Sequence, residues 1–256
     1  MTSLRLILVA WWLQMKMRSR SAFEGVLGVL WPLFFATTIF LMYRQSASGA
    51  ALIGASVGAS AMGVWSATST TASSALQSER RQGTLELLVA APASFPMLVF
   101  PIALSMTTVG LYSLVATLLW GRVAFGIPIT FHDPFGFVCA VAAVVISIAL
   151  MGFLESVLMV RYRAAWAIGT ALELPVWLLC GFLVPLTLLP AWVRPISWAL
   201  PPTWGAYALR AAALGGSPWL DVLVCMLLGA VFAALATALS HRLVDSARTH
   251  ATLALQ

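Results

Sequence analysis

Residues 78–92 read SERRQGTLELLVAAP, a charged island in a chain otherwise suited to lipid. Glu79, Arg80, Arg81 and Glu86 fall within eight positions, and Pro92 stops the short apolar run that follows. The chain as a whole is 61% hydrophobic and only 9% charged, against roughly 25% charged residues in soluble domains. Its mean hydropathy is +0.97. Such a chain is a polytopic membrane protein, so the +6 formal charge is read from its placement along the loops and not as a nucleic-acid surface.

Six apolar runs reach the length of about 20 residues that a membrane helix needs. They cover residues 25–43, 50–76, 96–119, 135–160, 164–184 and 219–240. Backbone groups in hydrocarbon must be satisfied within the segment, and the runs lack the period-two alternation of a barrel, so an all-α fold of six transmembrane helices is expected. Ahead of them, residues 1–23 carry an apolar run too short to span, flanked by Arg5, Lys16, Arg18 and Arg20. No small-residue cleavage site follows that run, which argues against a signal peptide. An interfacial helix is expected there, with Trp11 and Trp12 at headgroup level.

Lysine and arginine set the orientation. Arg5, Lys16, Arg18, Arg20, Arg80, Arg81, Arg161, Arg163, Arg242 and Arg248 fall on the side of the N-terminus, and only Arg44, Arg122, Arg194 and Arg210 fall opposite. Both termini and the charged island are therefore expected in the cytoplasm. The stretch after the fifth run holds Pro185, Pro190, Pro195, Pro201, Pro202 and Pro218, yet stays apolar and aromatic. Proline interrupts helices, and irregular backbone at membrane depth survives only against protein or a cavity. Two short re-entrant outer helices are expected within residues 189–214, near 191–200 and 203–214.

No catalytic constellation is present. His132, His241 and His250 lie in loops or the tail, and Cys139, Cys180 and Cys225 read as small buried hydrophobes without ligand spacing. A phosphate-cradling GxxxxGK[ST] is missing, since Lys16 is the only lysine. The chain is thus expected to bind no cofactor or metal and to hydrolyse no ATP itself. Two acids do lie within the runs. Glu173 follows Arg163 by ten residues, which places it about 15 Å into the bilayer, and Glu155 lies nearer the cytoplasm. Ionisable groups at such depth are functional candidates; the alternative is a protonated carboxyl bonded to a neighbouring helix. The second run contains a GxxxG at Gly54 and Gly58, then hydroxyl-rich sequence including Thr68 and Thr71. Small residues favour close packing, and the hydroxyls suit either packing or a wetted path. Gly229 and Ala233 read as a second packing face.

The island itself has the marks of a short helix over 84–91. Thr84 is a good N-cap, Glu86 suits the positive end of the helix dipole, and Leu85, Leu88 and Val89 share one face. Gly83 allows the chain to turn out of the second run. A helix this short is marginal alone, so a partner is expected against it.

The segment ERRQGTLELLVAAP, residues 79–92, resembles the E-R-x-x-G-T-L-E-x-L-L-x-x-P signature of ABC-2 type transporter permeases, a family that includes drug, antibiotic and lipo-oligosaccharide exporters. The resemblance continues in Gly181-Phe182-Leu183-Val184-Pro185, Leu189-Pro190-Ala191-Trp192, Leu200-Pro201-Pro202-Thr203-Trp204 and Ala208-Leu209-Arg210. It implies a single transmembrane domain over 1–256 whose cytoplasmic coupling helix enters a cleft of a separate ATPase subunit. Glu79, Arg80, Gly83, Thr84, Leu85, Glu86 and Leu88 would contact that ATPase, which would hold ATP and Mg. A second permease subunit, identical or not, would complete the path, lined by spans two and five with Thr68, Thr71, Glu173 and Trp177. Gly181, Pro185, Pro190, Pro201, Pro202 and Trp204 would form the outer gate. The implied function is export of a hydrophobic or amphipathic drug, antibiotic or lipid-like substrate across a bacterial inner membrane, with a glycolipid or polysaccharide cargo as an alternative within the family. A proton-coupled secondary transporter using Glu173 is a further alternative, although the internal repeats usual in such carriers are not evident.

Overall fold

A computed structural model describes residues 3–18, 22–44, 49–83, 91, 94–128, 131–159 and 165–250. Among these no strand occurs. The helices are α1 (Ser3–Arg18), α2 (Ala22–Arg44), α3 (Gly49–Arg81), α4 (Phe95–Phe125), α5 (Pro134–Met159), α6 (Ala165–Leu179), α7 (Arg194–Trp198), α8 (Pro201–Leu214) and α9 (Trp219–His250), with a 3₁₀ turn at Leu186–Leu188.

The helix α3 is the axis of the bundle and packs against α2, α4, α5, α6 and α8. Every residue from 55 to 66 on it is buried, which no amphipathic surface helix shows. Its composition explains the crowding. A Cβ added at Gly63 would run into Ser113 of α4 and approach Pro32 of α2, and α4 answers with Gly110, whose added Cβ would lie 3.0 Å from the Val64 Cα. The glycines let three helix backbones come together where larger residues would hold them apart. Buried hydroxyls on α3 are served by its own carbonyls: Ser56 Oγ donates to Leu52 O at 2.8 Å and Ser60 Oγ to Val57 O at 2.7 Å.

Among the described residues, four stretches are long and apolar enough to cross a membrane, namely Gly49–Ser69, Phe95–Phe125, Pro134–Met159 and Trp219–Leu243. They match the second, third, fourth and sixth expected runs. The first expected run lies within α2, a helix of 23 residues. The fifth differs from expectation: α6 has 15 residues, or about 22 Å at 1.5 Å per residue, and stops at Leu179 instead of continuing to 184. Its end is a Schellman motif. Gly181 has φ +69, its amide donates to Leu178 O at 3.1 Å, and the Phe182 amide donates to Trp177 O at 3.0 Å. A left-handed glycine one step past the cap is the standard way to finish a helix.

The helix α9 packs on α5 and α8 and leaves Leu220, Leu223, Leu227, Val231 and Leu235 exposed, an apolar face fit for lipid. Gly229 sits against Leu150 and Ser147 of α5, as the small-residue reading anticipated. The helix α1 packs along α4, and Trp11 Nε1 donates to Thr108 Oγ1 at 3.1 Å. Trp12 is exposed. The indole N–H of Trp11 finds its acceptor within the bundle, as a partly buried donor must.

Candidate functional site

At one end of the bundle, α3 carries Glu79, partly buried, and runs through Arg80 to Arg81 before the chain turns at Gly83. Gly83 has φ +70, the left-handed conformation that a residue with a Cβ resists. The turn expected of this glycine is therefore present. Thr84, Leu85, Glu86 and Leu88 lie outside the described residues, as does the short helix expected over them.

Deeper in the bundle, two carboxyls approach the same face of α3 from different helices. Glu173 of α6 is 5% exposed and accepts a hydrogen bond from Ser66 Oγ. Glu155 of α5 is 7% exposed and accepts from Ser69 Oγ at 3.1 Å, while Ser69 Oγ also lies 3.1 Å from Gly169 O on α6. Ser66 and Ser69 are three residues apart, so they stand one above the other on the helix. A serine hydroxyl has one proton to donate. Both acceptors of Ser69 are served together when the Glu155 carboxyl is protonated and donates to Ser69, which then donates to Gly169. The other oxygen, Glu155 Oε2, is buried with no hydrogen-bond partner, a poor setting for a carboxylate anion. The two acids thus act as hydrogen-bonded cross-links among α3, α5 and α6.

The remaining path candidates face the chain's own interior. Thr68 is fully buried. Its hydroxyl donates to Val64 O at 2.8 Å and contacts Thr107 Oγ1 of α4 at 3.1 Å, and its methyl packs where a Cβ at Gly152 of α5 would be. Trp177 is 1% exposed, sits in the main apolar core, and meets Phe35 edge to face at 5.0 Å. Its indole N–H, like that of Trp65, has no acceptor. Neither Thr68 nor Trp177 is presented to an open face. The side chain of Thr71 lies outside the described residues.

Beyond the end of α6, the proline-rich stretch forms one connected unit. Pro185 precedes the 3₁₀ turn, and Pro190 O accepts from the Val193 amide at 3.0 Å to start a second turn. The helix near 191–200 is shorter than expected, spanning only Arg194–Trp198, because residues 191–193 form that turn. Pro201 and Pro202 are buried at the first positions of α8, where a missing amide costs no intrahelical bond. Trp204 Nε1 donates to Trp198 O at 2.9 Å and binds α7 to α8. Gly215, at φ +94, caps α8, and Ala212 O accepts from the Asp133 amide at 3.1 Å. Asp133 Oδ1 in turn accepts from the Gly136 amide at 2.9 Å at the start of α5.

By its sequence, Arg210 of α8 is an outer charge and the last residue of the Ala208-Leu209-Arg210 stretch of the family resemblance. In the structure it reaches across to two backbone carbonyls: Nη2 donates to Gly181 O and Nε to Gly54 O, the latter at 3.4 Å. Gly58 makes room for this. A Cβ there would stand 2.8 Å from Arg210 Nη2 and 3.2 Å from the Phe182 carbonyl carbon, and would overlap the carbonyl oxygen. Gly54 faces open space. The GxxxG is thus split, one glycine for close approach and one for an accessible carbonyl.

No curated protein matches the chain. The family described as ABC-2 type transporter matches residues 5–214, from the first turn of α1 to the end of α8, the charged island and the proline-rich unit included. With that match over most of its length, and with several helices apolar enough to cross a bilayer, the chain belongs to the ABC-2 type transporter family and is a multi-pass membrane permease of an ABC transporter.

Proposed function

We propose that this permease is the membrane subunit of an ATP-driven exporter in a bacterial inner membrane, with both termini in the cytoplasm. Two such subunits pair around a central path and associate with two separately encoded ATPases, which bind ATP and Mg and dock on residues 84–91. The cargo is a hydrophobic or amphipathic small molecule or lipid. The observation that carries this reading is the family match, which spans the ERRQGTLELLVAAP segment. It is supported by the left-handed Gly83, which turns the chain out of α3 at the start of the docking segment. On closure the ATPases push on that segment and tilt α2, α3 and α4, which opens the proline-rich unit on the far side. The short outer connections and the apolar, aromatic character of residues 185–214 support an oily cargo over a long hydrophilic polymer.

The test is co-purification with the ATPase in lipid nanodiscs, followed by ATP-driven export assays on Gly83→Val combined with Glu86→Lys. The pair is expected to abolish export and the coupling of ATP hydrolysis to it, while the permease still folds and inserts. Undiminished coupled export by the double variant would overturn the assignment.

A further inference from the structure

Arg210 joins three parts of the chain that the sequence holds far apart. It leaves the middle of α8, passes beside Gly58, and donates to the carbonyl of Gly54 on α3 and to that of Gly181 in the break after α6. No carboxylate among the described residues pairs with it. With Tyr43 and Tyr207 as its other polar neighbours, the guanidinium bonds the two carbonyls as a charge-assisted donor. Arginine suits the task because its planar fork aims N–H groups from separate nitrogens at once, whereas the three donors of lysine radiate from a single nitrogen. The acceptor on the α6 side is also well chosen. The Schellman motif commits the amides of Gly181 and Phe182 to the last turn of α6, so the Gly181 carbonyl projects from a fixed base, at the negative end of the helix dipole.

We propose that Arg210 is the positioning residue of the outer gate. By holding the carbonyls of Gly54 and Gly181 together it fixes the end of α6 against α3, and outward opening requires these two bonds to be released. The proposal rests on the permease reading for the meaning of opening, but the clamp itself is a property of the single chain.

The native cysteines provide the assay. Cys180 is 1% exposed and adjoins Gly181, and Cys225 is fully buried on α9, where it meets α5 and Gly205 of α8. The permease with its ATPase is placed in lipid nanodiscs and treated with a small maleimide without nucleotide, and the labelled peptides are timed by mass spectrometry. Arg210→Met is expected to raise the labelling rate of Cys180 about tenfold or more and to leave Cys225 unchanged. Arg210→Lys, which keeps the charge but reaches one carbonyl, is expected to fall between wild type and Arg210→Met. Wild-type labelling of Cys180 in both variants would overturn the proposal. So would a parallel rise at Cys225, which would mark general loosening. If Arg210→Met fails to assemble, Arg210→Lys is decisive: faster labelling confined to Cys180 supports the clamp, and an unchanged rate removes it. Adding ATP to the wild-type complex separates the two readings, since a clamp released by Arg210→Met but never by ATP would leave the clamp standing and count against the exporter assignment.

Discussion

Gly54 and Gly58 look equivalent in sequence, and the structure separates them by a measurable free energy. An alanine at 58 would put a Cβ 2.8 Å from Arg210 Nη2 and 3.2 Å from the Phe182 carbonyl carbon, with the carbonyl oxygen closer still. Favourable separations begin near 3.5 Å. The Arg210 tip can swing aside, but the Phe182 carbonyl is backbone fixed by the end of α6, so helices must part. Overpacking of this kind costs about 1–3 kcal/mol. Alanine at 54 meets nothing within 4 Å. Both substitutions gain about 1 kcal/mol of helix propensity, which cancels in the comparison. Gly58→Ala is therefore expected to be less stable than Gly54→Ala by about 1–3 kcal/mol, with Gly54→Ala at or above wild type. Equilibrium unfolding of the two variants in mixed micelles measures the difference directly. Equal stabilities would refute the reasoning, because nothing but the neighbours of the two positions distinguishes them.

Three further outcomes follow from the same packing. Ser69→Ala removes the hydrogen-bond partner that the Glu155 carboxyl has among the described residues and is expected to cost about 1–3 kcal/mol; Glu155→Leu added to it is expected to recover part of that loss, which unfolding of the double variant would show. Trp177→Phe removes a buried N–H that has no acceptor, so its cost is expected to stay below about 1 kcal/mol, whereas Trp177→Ala empties the site and costs about 3–5 kcal/mol; thermal melts of the purified permease distinguish them. Gly83→Ala forces a side chain into the left-handed region at a local cost of about 1–2 kcal/mol at the end of α3, and is expected to lower ATP-driven export several-fold with little change in the melting temperature of the bundle.

Apolar run length was enough to place most helices, because the hydrocarbon thickness leaves little freedom in how long a spanning helix can be. The turn at Gly83 was also legible, since it demands a conformation only glycine adopts cheaply; the end of α6 at Leu179 was not, because the apolar run continues to 184. Rotational phase was not legible. Where α3 is buried on every side, over residues 55–66, hydrophobicity no longer points to one face, so the inward turn of Thr68 and Trp177 had no pattern to announce it. The partners of Glu155 and Glu173 were hidden for the same reason: Ser69 and Ser66 stand among many hydroxyls in the same stretch. Arg210 had a signal, an arginine on a short apolar helix among aromatics. Its backbone acceptors carry no side-chain signature that a sequence could display.

The unbroken length of α3 has a mechanical consequence. Between Gly54, where Arg210 is attached, and Arg81, the last residue before the turn, there is no proline, and the rise per residue makes this about 40 Å of rigid rod. Tilting such a rod by about 5° displaces one end relative to the other by about 3.5 Å, more than the reach of a hydrogen bond. A lever of this length needs no relay of side chains to carry a signal through the bilayer. In the exporter proposed above, a small angular push where the chain leaves α3 at Gly83 would already be, at the other end, the distance that separates a closed clamp from an open one.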